Sequence, residues 1–69
     1  MINKFAERLK LLRTSNNISQ RQLAREVGFS QASIARWEKS TQRTTDEIII
    51  AFAKYFQVSA DYLLGLEDY

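Results

Sequence analysis

Two short amphipathic segments with a brief connection constrain the fold of this chain more than any other feature. Each segment, residues 19–27 and residues 30–39, makes about two helical turns, and the connection is too short for antiparallel packing, so the helices must cross steeply. A steep crossing needs a small residue at the contact, which Ala24 supplies, and a left-handed residue in the turn, which Gly28 supplies. An arbitrary helical hairpin would explain the apolar residues but not this combination.

The rest of the chain is also predicted to be helical. Proline is absent, there are only two glycines, and apolar residues recur at helical spacing. Helix starts are predicted at Ser19 and Thr44, each in a capping box with the Gln or Glu three residues later, and at Ser30 and Ser59 as simple N-caps. The fold class is therefore all-α, a compact single domain over residues 1–69 with helices at approximately 2–15, 19–27, 30–39, 45–56 and 60–65.

The fourth and fifth helices raise a question about their apolar faces. Ile49 lies on the predicted inward stripe of helix four, and Ile48 and Ile50 flank it. Extra core is the favoured interpretation of these two flanking residues, with an exposed dimer patch as the alternative. In helix five, Tyr62 and Leu63 are both expected to pack on the core.

Composition excludes several classes of function. Cysteine and histidine are both absent, which removes disulfides, thiolate nucleophiles and the commonest zinc ligand and general base. No apolar run approaches the roughly 20 residues of a membrane span, and the start does not resemble a signal peptide. We therefore expect a cytoplasmic protein with no metal, no cofactor and no enzymatic activity.

Charge is divided unevenly along the chain. The part before Thr45 contains nine basic and three acidic residues, a formal charge of +6, whereas the part from Thr45 onward has one lysine and five acids, a charge of −4. A polyanion would therefore meet the first part, although an unevenly charged solvated surface is the plain alternative.

Four stretches of sequence resemble the lambda Cro/repressor-type helix-turn-helix family, also called the XRE family. They are FAERLKLLR from Phe5, ISQRQLA from Ile18, WE at Trp37, and VSADYLLG from Val58, in the order and spacing of that family. The resemblance implies five helices, with the second and third forming the DNA-binding unit and the third lying in the major groove. The chain departs from the family after the WE pair, where Lys39-Ser40 replaces a glycine-containing turn and no proline follows.

The outward face of the third helix is predicted to read bases. Gln31, Ala32, Ser33 and Arg36 lie away from the inward Ile34 and Trp37. Gln31 is suited to bidentate pairing with adenine and Arg36 with guanine, while Ala32 fits a thymine methyl group and Ser33 a base or a phosphate.

Phosphate contacts are predicted at two helix starts and the loop before helix four. Free backbone N–H groups and the helix dipole favour an anion at such starts. The resemblance gives Gln20 a double role, holding a phosphate and steadying the first residue of helix three. The predicted phosphate-binding residues are Ser19, Gln20, Arg21, Lys39, Gln42, Arg43 and Thr44, with Lys10 and Arg25 expected to be solvated or paired with acids such as Glu26.

The resemblance also implies a partly buried ion pair between Arg13 and Glu38, joining helix one to helix three. The plain alternative is two surface charges worth under about 1 kcal/mol.

These predictions together indicate a prokaryotic or phage-type transcriptional regulator, and repression is favoured over activation. Its partner would be a double-stranded DNA operator with paired half-sites, bound by a homodimer at least on DNA. An antitoxin or a restriction-system controller would use the same domain, and a helical protein–protein adaptor would keep the fold without binding DNA.

Overall fold

The computed structural model describes residues 4–67, which form five α-helices. They are α1 Phe5–Ser15, α2 Gln20–Val27, α3 Gln31–Glu38, α4 Asp46–Phe56 and α5 Ala60–Leu64. The all-α, five-helix prediction is confirmed. The predicted helices two to four each began one residue too early, at the cap, and the predicted start at residue 2 lies outside the described residues. Over this part of the chain, no helix has the length and apolar character needed to cross a membrane.

Three serine caps fix where the short helices begin. The hydroxyl oxygens of Ser19, Ser30 and Ser59 each accept the backbone N–H three residues later, at 3.0, 3.1 and 3.0 Å. Each bond satisfies one of the amide groups that a helix start leaves without an intrahelical partner. The capping box at Ser19 forms only in part, because the Gln22 side chain donates to Glu26 rather than back to Ser19.

The predicted start of helix four was wrong by one residue. Thr45, not Thr44, is the N-cap, and its hydroxyl oxygen accepts the Ile48 N–H at 3.4 Å. The box between Thr44 and Glu47 therefore does not form. Two adjacent threonines give a capping pattern in either register, and the later start places both Asp46 and Glu47 in the first turn, where the helix dipole favours acids.

Phe52 of α4 lies at the centre of the core and is fully buried. Its ring centroid is 6.0 Å from that of Phe5, 5.6 Å from that of Phe29 and 5.7 Å from that of Trp37. Tilted and edge-on aromatic pairs at these distances add to the stabilisation that burial provides. One residue of α4 thus holds α1, the turn before α3 and α3 itself in fixed positions. Elsewhere in the part of the chain that the structure describes, the buried residues are Leu9, Leu23, Ala24, Ile34, Ile49, Ala53 and Leu63.

Two apolar expectations were wrong. Ile48 packs against the core as predicted, but Ile50 is 47% exposed, because three consecutive isoleucines on a helix cannot all face the same side. Tyr62 lies outside the apolar core, and the guanidinium of Arg8 lies over its ring at 4.3 Å from the centroid. In the short helix α5, Leu63 provides the buried contact instead.

Within residues 4–67, three residues other than glycine adopt left-handed backbone conformations. Asn17, Ser40 and Gln57 have φ values of 57°, 59° and 57°. Asparagine tolerates this conformation at Asn17, and Ser40 occupies the turn where the family resemblance implied glycine. Gln57 is the C-cap of α4 and has no such tolerance.

Replacing Gln57 with glycine should therefore raise the free energy of unfolding by about 0.5–1 kcal/mol, since relief of the left-handed strain exceeds the extra freedom of glycine in the unfolded chain. Denaturant titration at constant m-value measures this difference. Asn17→Gly is the matched control, with a smaller expected gain because asparagine is already tolerated there. A loss of stability in Gln57→Gly would contradict the prediction.

Candidate nucleic-acid interface

The connection between α2 and α3 is a tight left-handed turn. Gly28 has φ 83° and donates its N–H to the Ala24 carbonyl at 2.9 Å, and Phe29 donates to the same carbonyl at 3.0 Å. A Cβ added at Gly28 would meet no atom within 4 Å, so the backbone conformation, not space, requires glycine here. Ala24 is buried at the contact, as its small size predicted. These bonds fix the direction in which the chain leaves α2 toward α3.

The first turn of α3 presents its polar residues to solvent. Gln31 and Ala32 are exposed, and Ser33 is half-buried, its hydroxyl oxygen accepting from the Ser30 hydroxyl at 3.0 Å. On the opposite side, Ile34 and Trp37 are 0% and 3% exposed. The buried side of α3 therefore packs against the core, and the opposite side is exposed and can contact a ligand.

Arg36, one turn further along the same exposed side, is held by the loop that follows. Its Nε donates to Oε1 of Gln42 at 2.6 Å. The structure thus brings together a residue predicted to read bases and a residue predicted to bind phosphate. Sequence reasoning placed both at the interface but did not foresee their contact.

The loop between α3 and α4 is fastened to the last turn of α3. The Thr41 backbone N–H donates to the Arg36 carbonyl at 2.9 Å, and the indole Nε1–H of Trp37 donates to the Arg43 carbonyl at 3.2 Å. The side chains of Lys39 and Arg43 are exposed, while Thr44 is half-buried. The two cations therefore extend into solvent from an anchored backbone.

Gln20 at the start of α2 makes a contact other than the one the resemblance implied. Its amide Nε2 donates to Oε1 of Glu38 at 3.1 Å, so it steadies the end of α3 rather than Gln31 at its beginning. Beside it, Ser19 uses its hydroxyl oxygen as the cap of α2, and Arg21 is exposed. No acidic residue lies in the first turn of α2, so its positive dipole end is not neutralised.

Arg13 and Glu38 form a bidentate ion pair beneath this surface. Nε of Arg13 donates to Oε2 of Glu38 at 2.6 Å and Nη2 donates to Oε1 at 3.0 Å, and the two side chains are only 13% and 3% exposed. The remaining Nη1 donates to the Ile18 carbonyl at 2.9 Å. Because Gln20 also donates to Glu38, this carboxylate joins α1, α2 and α3.

One polar network was missed by sequence reasoning. The Tyr55 hydroxyl of α4 donates to Glu26 of α2, and Gln22 donates to the other Glu26 oxygen at 2.9 Å. The hydrogen bond from Tyr55 is the main cause that holds the pKa of Glu26 below its usual value, and the bond from Gln22 is the second. The bond between Tyr55 and Glu26 also raises the pKa of Tyr55. Arg25, the expected partner of Glu26, contributes less to this shift. Only the four-residue spacing of Gln22 and Glu26 was a usable signal.

Comparison with known proteins agrees with this geometry. A helix-turn-helix family profile matches residues 9–63. Repressor protein C2 of Salmonella phage P22 is 38% identical over 60 residues, which are 87% of this chain and 28% of that protein. This chain spans between 28% and 57% of the length of the curated relatives it matches.

Solved structures show the same fold. The P22 c2 repressor, crystallised with a synthetic operator, superimposes with a TM-score of 0.82 at 35% identity, covering 91% of this chain and 96% of that one. The restriction-modification controller protein C.AhdI from Aeromonas hydrophila gives 0.80 at 26% identity, covering 90% and 94%.

Proposed function

Because this chain belongs to the XRE-type helix-turn-helix family, we propose that it binds a specific site on double-stranded DNA and regulates transcription. The observation that carries the proposal is the exposed side of α3, where Gln31, Ala32 and Arg36 face solvent while Ile34 and Trp37 fix the opposite side in the core. A helix held in this way can enter the major groove without losing its own packing. The proposed effect on transcription is repression, by similarity to the P22 repressor.

Base readout is assigned to the first turn of α3 and to Arg36. The amide of Gln31 can accept from and donate to adenine, and the guanidinium of Arg36 can donate twice to guanine. Ala32 offers a methyl group to a thymine methyl, and Ser33, whose hydroxyl also meets Ser30, is placed to contact a base or a phosphate.

Phosphate binding is assigned to groups on either side of α3. Ser19, Gln20 and Arg21 surround the start of α2, which has no acid in its first turn. On the other side lie Lys39, Gln42, Arg43 and Thr44. The start of α4 is a poor anion site, because Asp46 and Glu47 occupy its first turn. Arg43 and Thr44 are therefore proposed to act through their own side chains and not through the dipole of α4.

The charge distribution supports the same orientation. Arg13 and Glu38 neutralise each other, so the net +6 of the part before Thr45 resides on its remaining charged groups. Arg21, Arg36 and Arg43 are exposed and available to a polyanion. The part from Thr45 onward, with a formal charge of −4, would face away from DNA.

Two copies are proposed to bind paired half-sites. Ile50 is 47% exposed beside an apolar depression lined by Ile49, Ala60 and Leu64, and Leu66 is 61% exposed. Exposed apolar residues on α4 and just after α5 offer a contact between copies in the part of the chain that carries the acidic charge. In a prokaryotic cell, a regulator of this kind would act in the cytoplasm.

Selection of bound sequences from a random duplex pool at fixed salt tests the proposal. The selected site should bind at least about 1,000-fold more tightly than scrambled duplexes, and it should contain two half-sites with centres roughly 10 base pairs, or a multiple of that, apart. Equal affinity for selected and scrambled duplexes would contradict specific binding. A single undivided site would contradict only the paired arrangement.

Restriction-system control is the second candidate function, favoured by the similarity to C.AhdI. It uses the same DNA contacts, as would an antitoxin regulating its own operon. A gene for an endonuclease or a toxin beside the gene for this chain would distinguish these roles from that of a stand-alone regulator.

Removing the Arg43 side chain should weaken binding to all duplexes alike and reduce the slope of log K against log salt by about one. The Arg43 carbonyl still accepts from Trp37 in this variant, so the loop stays anchored. Titrations at several salt concentrations measure the slope. Lys54→Ala is the charge-matched control, since Lys54 lies in the last turn of α4, in the acidic part of the chain. An unchanged slope in Arg43→Ala would exclude this phosphate contact.

A further inference from the structure

The guanidinium of Arg36 is oriented before any ligand arrives. Its Nε donates to Oε1 of Gln42 at 2.6 Å, which uses the N–H closest to the aliphatic stem. This bond does not use the Nη1 and Nη2 groups at the far end of the guanidinium. These two groups can donate together to the O6 and N7 acceptors that guanine presents in the major groove.

Gln42 is itself held by its neighbours in the chain. Thr41, on one side, donates both its backbone N–H and its hydroxyl to the Arg36 carbonyl, at 2.9 and 3.2 Å. On the other side, the backbone carbonyl of Arg43 accepts a hydrogen bond from the indole N–H of Trp37, a residue that is 3% exposed. Gln42 is half-buried between these anchors. Its backbone therefore cannot move away from Arg36 without breaking bonds to the last turn of α3.

We propose that Gln42 is a positioning residue that sets specificity by holding Arg36 in the geometry for guanine. This inference rests on the proposed function and deepens it. An arginine ordered in the free protein loses less side-chain freedom on binding than one that samples many rotamers. The gain applies only where Arg36 meets its proper acceptor pair, so Gln42 increases discrimination among sequences without touching a base.

The oxygen and the NH₂ group of the Gln42 amide can have two different roles. Oε1 of Gln42 accepts from Arg36, which leaves the amide NH₂ to donate to a phosphate, the role expected from sequence. A phosphate contact adds affinity for every sequence equally, whereas support of Arg36 adds affinity only at the guanine. Measurements on two duplexes can therefore tell them apart.

A double-mutant cycle provides the test. Kd is measured for the wild type, Gln42→Ala, Arg36→Ala and the double variant, on the selected duplex and on one with the Arg36-dependent guanine replaced. Gln42→Ala should weaken binding to the selected duplex by about 3- to 10-fold more than to the altered one. In the Arg36→Ala background this additional loss should disappear. Equal losses on both duplexes, or a greater loss on the selected duplex that persists without Arg36, would overturn the proposal.

Gln42→Glu serves as the conservative variant. It keeps an oxygen acceptor for Arg36, now on a carboxylate, but loses the amide donor and repels phosphate, so guanine discrimination should survive while overall affinity falls. Loss of discrimination in this variant would also overturn the proposal. Measuring the thermal midpoint of every variant checks that each is folded.

The controls separate this inference from the proposed function. A wild type without preference among duplexes would remove both. A wild type with preference, but with Arg36→Ala losing none of it at any guanine, would remove the guanine contact assigned to Arg36 and with it the role of Gln42, while specific binding itself would stand. Additive effects of Gln42→Ala and Arg36→Ala on discrimination between the two duplexes would remove only the role of Gln42.

Discussion

Replacing Glu38 with glutamine should lower the free energy of unfolding by about 3–5 kcal/mol, the usual cost of removing one partner from a buried ion pair. Glu38 is 3% exposed and accepts three hydrogen bonds, two from Arg13 and one from Gln20. A glutamine there would leave the Arg13 charge without its counter-ion and would turn an amide N–H toward an arginine N–H. The carboxylate joins three helices, so its loss destabilises the whole helix-turn-helix unit.

A thermal melt measures this effect directly. For a domain of this size, 3 kcal/mol corresponds to a fall in Tm of at least about 12 °C. Glu7→Gln is the matched control, because Glu7 is exposed on α1 and its substitution should change the free energy of unfolding by less than about 0.5 kcal/mol. An unchanged midpoint in Glu38→Gln would mean that the pair contributes no more than a surface pair.

Local rules explain the parts of the fold that the sequence predicted well. Ser19, Ser30 and Ser59 each cap a helix by bonding to an amide three residues away, and Gly28 ends α2 in a left-handed conformation. All of these interactions lie within one turn of the chain. Their energies are decided by residue type and spacing, which a sequence displays fully.

The register of α4 shows where local rules become ambiguous. Thr44 and Thr45 are both good caps, and Ile48, Ile49 and Ile50 are all apolar, so neither the start nor the buried face of the helix is unique in the sequence. Tertiary contacts decide between the possibilities. The bond from Trp37 to the Arg43 carbonyl anchors the chain just before the helix, and the core then takes Ile49 and leaves Ile50 exposed.

Side-chain partners distant in sequence were the least predictable part of the candidate site. Tyr55 and Glu26 are 29 residues apart, and Gln20 and Glu38 are 18 apart. Polar side chains such as these can reach several partners, and the choice depends on how the helices pack. The sequence therefore predicted which residues lie near the surface of α3 but not that Gln42 would hold Arg36.

Replacing Gln31 with alanine should weaken binding to the selected duplex by about 1–3 kcal/mol and remove the preference at one A·T pair. Gln31 is the first residue of α3 and is exposed, and alanine is a good helix former, so the variant should fold as the wild type does. The loss comes from two hydrogen bonds to one base that no other residue replaces. Kd measured on the selected duplex and on variants substituted at each position locates that base pair.

Arg43→Ala is the informative comparison for Gln31→Ala, because both variants remove a long exposed side chain from the same surface. A phosphate contact and a base contact differ in how their loss is distributed over sequences: the first lowers every affinity by the same factor, and the second lowers only those with the matching base. Gln31→Ala should therefore leave affinity for random duplexes almost unchanged. Equal losses on selected and random DNA would refute its role in base readout and would make Gln31 one more backbone contact.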